Sequence, residues 1–283
     1  MYQQYPVPEA LQPFVSFFYS METRQTGPVL EPEMLMPSGT CILGMQYEGN
    51  WSVLSPVLKG ILVPYYICGQ QTNSYLLVPL QPVCGIVGVS FKPTALWKWF
   101  DVPVHRLTNQ VVEGASLFGA RFNLLIARYE RLTRNEDRVA LLTDFLLSFV
   151  AGKSFRATVV DAALDEIYRR KGCVTTAEIC RCLPVSERYL QLLFKNQVGV
   201  SPSAYARMIR FNHIFLEYRQ WKEKHDLVFI TALYNYYDAS HFNKDFKKVF
   251  GVAPTTLQLR QFQLLLELID NGPYLTMVSA SGH

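Results

Sequence analysis

Two stretches of this 283-residue chain carry side chains suited to a flat, polar, negatively charged surface. Over 187–197, Leu190, Leu193 and Phe194 share one helical stripe, which leaves Arg188, Gln191 and Lys195 at i, i+3 and i+7 on the opposite face. Around 239–249, Phe242, Phe246 and Phe250 form the stripe and leave Ser240, His241, Asn243, Lys244 and Lys247 outward. Arginine pairs with guanine, glutamine and asparagine with adenine, serine with either base, and lysine with phosphate. A single such face is also what an ordinary solvated helix looks like. Two of them in one segment point to nucleic acid.

The elements that must hold these faces repeat. TTAEICRCLPVSERYLQLLFKNQVGVSP (175–202) and FITALYNYYDASHFNKDFKKVFGVAP (229–254) each read as a short helix, a tight turn, a second helix with an interior Leu or Phe pair, and a Gly-Val-(Ser/Ala)-Pro exit. Ser186 and Asp238 stand at the N-cap of each second helix, where a side-chain oxygen accepts from the first free backbone N–H groups. This is the helix-turn-helix pattern, present twice. Charge agrees: Lys and Arg balance Asp and Glu at 11 each over 1–155, exceed them 16 to 10 over 156–262, and are absent from 263–283, which holds 2 acids. The positive excess sits in one module, as polyanion binding needs.

Other chemistry finds little footing. Residues 1–104 contain no histidine and His105 stands alone, so a histidine-based metal site in the N-terminal part is excluded. The six cysteines (Cys41, Cys68, Cys84, Cys173, Cys180, Cys182) form no CxxC pair and no zinc spacing, and read as reduced thiols packed as small hydrophobes. Cys180 or Cys182 with His213 is the one Cys-His pairing to consider, but both cysteines fall on the first helix of the first unit, where a small buried residue is the ordinary expectation. Glu31 and Glu33 flank a proline in an expected loop and read as solvated. There is no GxxxxGK[ST] or GxGxxG phosphate loop. No catalytic residue, metal or cofactor is therefore expected. No apolar run of about 18 residues and no signal-peptide pattern occur, so the default expectation is a cytoplasmic chain with no membrane partner.

From Phe14 to about Phe91 the chain reads as short apolar and aromatic runs, FVSFFYSM, CILGMQY, WSVLSPVL, ILVPYYIC, SYLLVPL and CGIVGVSF, cut by turn residues at intervals near ten. That is an antiparallel sandwich or barrel, with turns at Pro37-Ser38-Gly39, Glu48-Gly49-Asn50 and Gln70 to Asn73. Phe14, Phe17, Phe18, Tyr19, Tyr47, Trp51, Tyr65, Tyr66 and Tyr75 crowd these strands and fit either an apolar ligand pocket or a plain core. Helical periods follow: TALWKWF with Pro93 as first helical residue, then 120–133 and 136–150, a pair able to serve as a dimerisation surface. After a break at 151–154, candidate helices cover roughly 157–170, 175–182, 187–197, 203–221, 228–235, 239–249 and 254–268.

Residues 175–260 resemble the DNA-binding domain of the AraC/XylS family of bacterial transcription regulators. The resemblance lies in Ser186-Glu187-Arg188-Tyr189-Leu190-Gln191, Phe194-Lys195, Val198-Gly199-Val200-Ser201-Pro202, Ser240-His241-Phe242, Asp245-Phe246-Lys247 and Phe250-Gly251-Val252-Ala253-Pro254. It implies two helix-turn-helix units joined by a long helix, with both second helices in adjacent major grooves. A joining helix over 203–221 spans about 28 Å, close to the ~34 Å of one duplex turn. The N-terminal part looks loosely like the cupin-like effector domains of the same family. Departures are Pro184 and Asn235 where the family's turns usually carry glycine, and Leu192 where it often has arginine. Asparagine tolerates φ > 0 and proline does not, so the first turn must take another path.

The expected fold is α+β: residues 1–151 a cupin-like antiparallel β domain with flanking helices, for effector sensing or dimerisation; residues 155–268 an all-α double helix-turn-helix domain; residues 269–283 a tail. The expected function is sequence-specific regulation of transcription, with Arg188, Gln191, His241 and Asn243 reading bases. Expected partners are double-stranded DNA, a small effector, a second copy of the chain and, for an activator, RNA polymerase. The alternatives are an enzyme whose β domain does chemistry beside a helical localising module, or an interaction protein that kept the fold without base reading.

Overall fold

The computed structural model describes residues 1–27, 29–221, 234, 236–257, 262–263 and 266–267. Its first part is built from ten strands: β1 (Tyr2–Tyr5), β2 (Val15–Arg24), β3 (Glu33–Leu35), β4 (Cys41–Glu48), β5 (Trp51–Leu54), β6 (Lys59–Ile61), β7 (Tyr65–Cys68), β8 (Tyr75–Pro79), β9 (Val83–Phe91) and β10 (Val111–Glu113). They form a six-stranded sheet ordered β1-β2-β9-β4-β7-β10 and a four-stranded sheet ordered β3-β8-β5-β6. The pairings are antiparallel. The pleat sorts each strand's side chains onto two faces. On β9, Val87, Val89 and Phe91 pack on one side of the large sheet, while Ile86 and Ser90 face the small sheet.

The outer face of the large sheet is covered by α1 (Ala95–Phe100), α2 (Gly114–Phe118), α3 (Ala120–Tyr129) and α4 (Asn135–Val150). Phe122, Leu125 and Tyr129 of α3 and Leu142, Leu146 and Phe149 of α4 join Phe18, Leu43 and Val89 in one buried cluster. The apolar stripes of α3 and α4 are thus turned onto the sheet rather than offered to a second copy, though Leu124 stays 70% exposed. Arg138 is buried at their junction, donating to the Leu132 and Thr133 carbonyls and to Asn135 Oδ1, with its guanidinium 4.1 Å from the Tyr47 ring centroid. Pro93 lies in the turn before α1, which begins two residues later at Ala95, so it is not the first helical residue. Glu33 opens β3 and is half-buried, where a solvated loop was expected; Glu31 is exposed.

After Val150 the chain runs without regular structure from 153 to 158 and becomes helical: α5 (Val159–Arg169), α6 (Thr176–Cys182), α7 (Glu187–Gln197), α8 (Pro202–Trp221) and α9 (Ala239–Phe250), then a 3-10 turn at Pro254–Thr256. Tyr234 apart, the candidate helix over 228–235 lies outside the described residues, as do Asn235 and the tail 269–283. Helices α5 to α9 match their expected ranges to within two residues, whereas the helix expected from 254 to 268 is not continuous: the 3-10 turn at Pro254–Thr256 ends in an extended Leu257. Helix α8 is the hub. Tyr205, Ile209, Phe211, Ile214 and Phe215 bury around it, so the elements before and after it pack on opposite parts of one apolar rod.

Candidate nucleic-acid interface and the cavity between the sheets

The first helix-turn-helix unit is α6 and α7. Thr175 and Glu178 cap α6 reciprocally: the Thr175 hydroxyl accepts from Glu178 N at 3.2 Å, and Thr175 N and its hydroxyl donate to the Glu178 carboxylate at 2.8 Å. The Thr175 backbone N–H, then its hydroxyl, and Arg170 beyond them hold the Glu178 carboxyl down at about 2. Pro184 does divert the turn. Leu183 is extended at φ −127°, Val185 N donates to Leu183 O at 2.8 Å across Pro184, and no residue of the turn has a positive φ. Ser186 then caps α7, its hydroxyl accepting from Tyr189 N. Leu190 and Phe194 point into the core, and Arg188, Gln191 and Lys195 are exposed. Tyr189 and Leu192, 52% and 62% exposed, stand among them and give this face an apolar strip.

In the second unit Asp238 caps α9 by accepting from His241 N at 2.7 Å. Phe242, Phe246 and Phe250 are buried against Phe211 of α8, with Phe246 and Phe250 stacked at 4.2 Å between ring centroids. Burying a phenylalanine is worth about 1.5–3 kcal/mol, so this row fixes which way α9 faces. Ser240, His241, Asn243, Lys244 and Lys247 are left exposed. Both units end as their shared motif requires. Gly199 and Gly251 adopt φ of 100° and 75°, and Pro202 and Pro254 open the next helical segments.

All eight residues expected to contact nucleic acid are therefore exposed on capped helices. What sequence periodicity missed is the grip of the β-rich part on this module. Lys98 Nζ and the Thr94 hydroxyl, at the start of α1, bind the Asp161 carboxylate of α5 at 2.8 to 2.9 Å. Thr108 donates to Gly199 O at the exit of α7, and Ser74 N donates to Val249 O at the end of α9. Between them, Tyr205 and Asn212 of α8 donate to the carbonyls of Gly39 and Pro37 at 3.1 and 2.9 Å. Gly39 has φ +78°, and a Cβ there would strike the Tyr205 phenol, so this contact selects glycine twice over.

Residues 36–40 also form one wall of a cavity between the two sheets, of about 100 Å³. Met36, Ser38 and Thr40 face into it while Pro37 and Gly39 offer their carbonyls to α8. Across its floor runs a single register row, Tyr19, Gly88, Gly44 and Tyr66 on β2, β9, β4 and β7. A Cβ on Gly44 or Gly88 would run into the rings of Tyr66 or Tyr19, which lie over the glycines. The crowding of aromatics seen in the sequence is thus divided: Phe17, Tyr19, Tyr66 and Tyr75 line the cavity, while Phe14 and Phe18 belong to the packed core under the helices.

The thiols are all free. Ile179, not a cysteine, fills the inward position of α6; Cys180 is half-buried and Cys182 exposed, so the expectation of buried packing fails for Cys182. His213 is buried on α8. Among the described residues no group of three His, Cys, Asp or Glu could hold a metal ion, and no helix is long and apolar enough to cross a membrane.

Residues 179–260 match the model of a helix-turn-helix domain, and residues 3–113 match that of a domain of unknown function (DUF6597). No curated protein matches the chain. Among solved structures, ToxT from Vibrio cholerae O395 is 11% identical over 86% of this chain and 96% of its own, with a TM-score of 0.43. The same protein bound to (E)-4-(8-methylnaphthalen-1-yl)but-3-enoic acid is 12% identical over 93% and 99%, with a TM-score of 0.42. The AraC-like transcriptional activator CuxR is 20% identical over 72% and 74%, with a TM-score of 0.25. The C-terminal region is an AraC-type helix-turn-helix domain.

Proposed function

We propose that the chain regulates transcription by reading two adjacent major grooves with α7 and α9, under control of a small molecule held between the N-terminal sheets. The observation that carries the reading is the pair of capped helices packed on one central helix, each burying an aromatic or aliphatic stripe and exposing Arg, Gln, Asn, His or Lys. Helix α8, at 20 residues, is about 30 Å long, near the ~34 Å between successive grooves on one side of a duplex. Arg188, Gln191, His241 and Asn243 are the base-reading set, with Lys195, Lys244 and Lys247 on phosphates and Ser240 on either. Tyr189 and Leu192 add apolar contact, for which a thymine methyl is the natural target.

Support for effector control comes from the segment 36–40. Its side chains line the cavity and its carbonyls hold the helix between the two reading heads, so a ligand that displaces Ser38 or Thr40 strains the bonds to Tyr205 and Asn212. A footprint on promoter fragments, with the salt dependence of binding to the footprinted site and to random duplex, tests the regulator reading. The expected result is a protected stretch covering two groove-widths on one face. Equal affinity for every duplex at all salt concentrations sinks it, and leaves an enzyme or interaction role.

A further inference from the structure

Resting on the reading of the cavity as an effector site, we propose that its ligand is an uncharged compound of about one ring, carrying a carbonyl or ether oxygen that accepts a hydrogen bond from the Ser38-Thr40-Ser90 hydroxyl chain. Three observations lead there. Among the described residues that line the cavity there is no Lys, Arg, His, Asp or Glu. A carboxylate or ammonium entering it leaves water without a counter-charge, and even a paired ion carries a desolvation penalty of several kcal/mol. The wall itself adds no charge: burial pushes the Cys68 thiol up to about 12 and raises the phenols of Tyr19, Tyr66 and Tyr75, so these groups stay protonated at neutral pH.

Apart from the Tyr2, Tyr19, Tyr66 and Tyr75 phenols and the Cys68 thiol, the polar side chains of the wall are gathered in one place. Ser38 Oγ and Thr40 Oγ1 are 2.8 Å apart, and Ser90 donates to Thr40 Oγ1 at 3.2 Å. Three hydroxyls bring three protons, and the two bonds within the chain use two of them. The third is left to donate, on a wall that it shares with the apolar side chains of Met36, Ile42, Ile86 and Val111. A sugar, with a hydroxyl on nearly every carbon, brings more polar groups than this chain and the phenols can match on a mainly apolar wall, and each unmatched group opposes entry. One acceptor on an apolar body is matched.

Size sets the last term. The cavity, at about 100 Å³, is on the scale of apolar cavities that take up benzene. Its glycine row explains why the volume exists at all: Gly44 and Gly88 let Tyr66 and Tyr19 lie flat on the large sheet instead of standing up into the gap.

The test uses the full-length protein and four probes of one body: acetophenone, toluene, benzoate and benzylamine, with arabinose as a polyol. Binding is read by calorimetric titration and by the rise in unfolding temperature. Acetophenone is expected to bind tightest, toluene about tenfold more weakly, and benzoate, benzylamine and arabinose not at all. The triple variant Ser38→Ala/Thr40→Val/Ser90→Ala should weaken acetophenone about tenfold and leave toluene unchanged, since only the former uses the donated proton, whereas Ser90→Ala alone, which removes a proton already spent on Thr40, should leave both unchanged. Tighter binding of benzoate, benzylamine or arabinose than of acetophenone overturns the ligand class while leaving the effector reading in place. Equal losses for acetophenone and toluene in the triple variant, or no loss of acetophenone there, overturn the hydroxyl chain as the recognition element. If no probe of any class binds the wild type, both the class and the effector reading fall, whereas DNA binding by the unliganded protein stands or falls separately by the footprint.

Discussion

Asn243 and Lys247 lie one helical turn apart on the same exposed face of α9, and they should fail in different ways. The carboxamide of Asn243 can accept and donate at once, which matches the N6 and N7 edge of adenine, so Asn243→Ala is expected to cost about 1–3 kcal/mol on the footprinted site. On random duplex it should change little, and equal losses on both, measured by fluorescence anisotropy, would remove Asn243 from the base-reading set. Lys247 offers a point charge to a phosphate. Lys247→Ala is expected to weaken all duplexes alike and to lower the slope of log K against log salt by about one; a slope unchanged from the wild type places Lys247 off the backbone. These two positions were legible from sequence because the phenylalanine stripe at 242, 246 and 250 leaves only one face for them. The contacts of Gly39 and Pro37 with α8 were not, since nothing local in 36–40 signals a partner more than 160 residues away.

At the level of elements, the reading heads depend on caps more than on intrinsic propensity, because α7 and α9 have only 11 and 12 residues. Isolated helices of that length are marginal in water. Asp238→Ala removes the acceptor for His241 N and should destabilise the protein by about 0.5–2 kcal/mol, seen as a lower urea midpoint, while Asp238→Ser restores most of it. A midpoint unchanged by Asp238→Ala would show that the Phe211 to Phe250 packing alone sets the start of α9. The long helices were readable because a stripe and its caps recur every three or four residues. Strands β3, β6 and β10 were not: three residues such as Val111 to Glu113 cannot display a period of two, and β10 exists only because β7 offers it an edge. Cys182 misled for a related reason. On a seven-residue helix one inward position, Ile179, is enough to dock it, and the last turn is left in solvent.

For the molecule as a whole, the question is what keeps the β-rich part seated on the helical module, and Asp161 is one point where the two are joined by charge. Its carboxylate accepts from Lys98 Nζ, from the Thr94 hydroxyl, and from the backbone N–H of Thr158 in its own cap. Burial alone would raise its pKa; the Lys98 ammonium and the N–H and O–H donors outweigh that, and the carboxyl is held below its ordinary value. A carboxylate whose folded pKa lies below its unfolded one contributes stability that is fully present above the unfolded value of about 3.9 and is lost as the pH falls through the folded value. Asp161→Asn keeps the shape and cap but has no charge to lose. At pH 7 it should be less stable by about 1.5–3 kcal/mol, the usual worth of hydrogen bonds to an ion. The gap to the wild type should stay level from about pH 8 to 5 and close below about 4, while the other carboxylates titrate alike in both proteins and cancel. Urea midpoints taken across that range measure it. A gap that persists undiminished at the acid end would mean that Asp161 acts through packing and the Thr158 cap alone, and that the four neutral contacts at Gly39, Pro37, Gly199 and Val249 carry the joint.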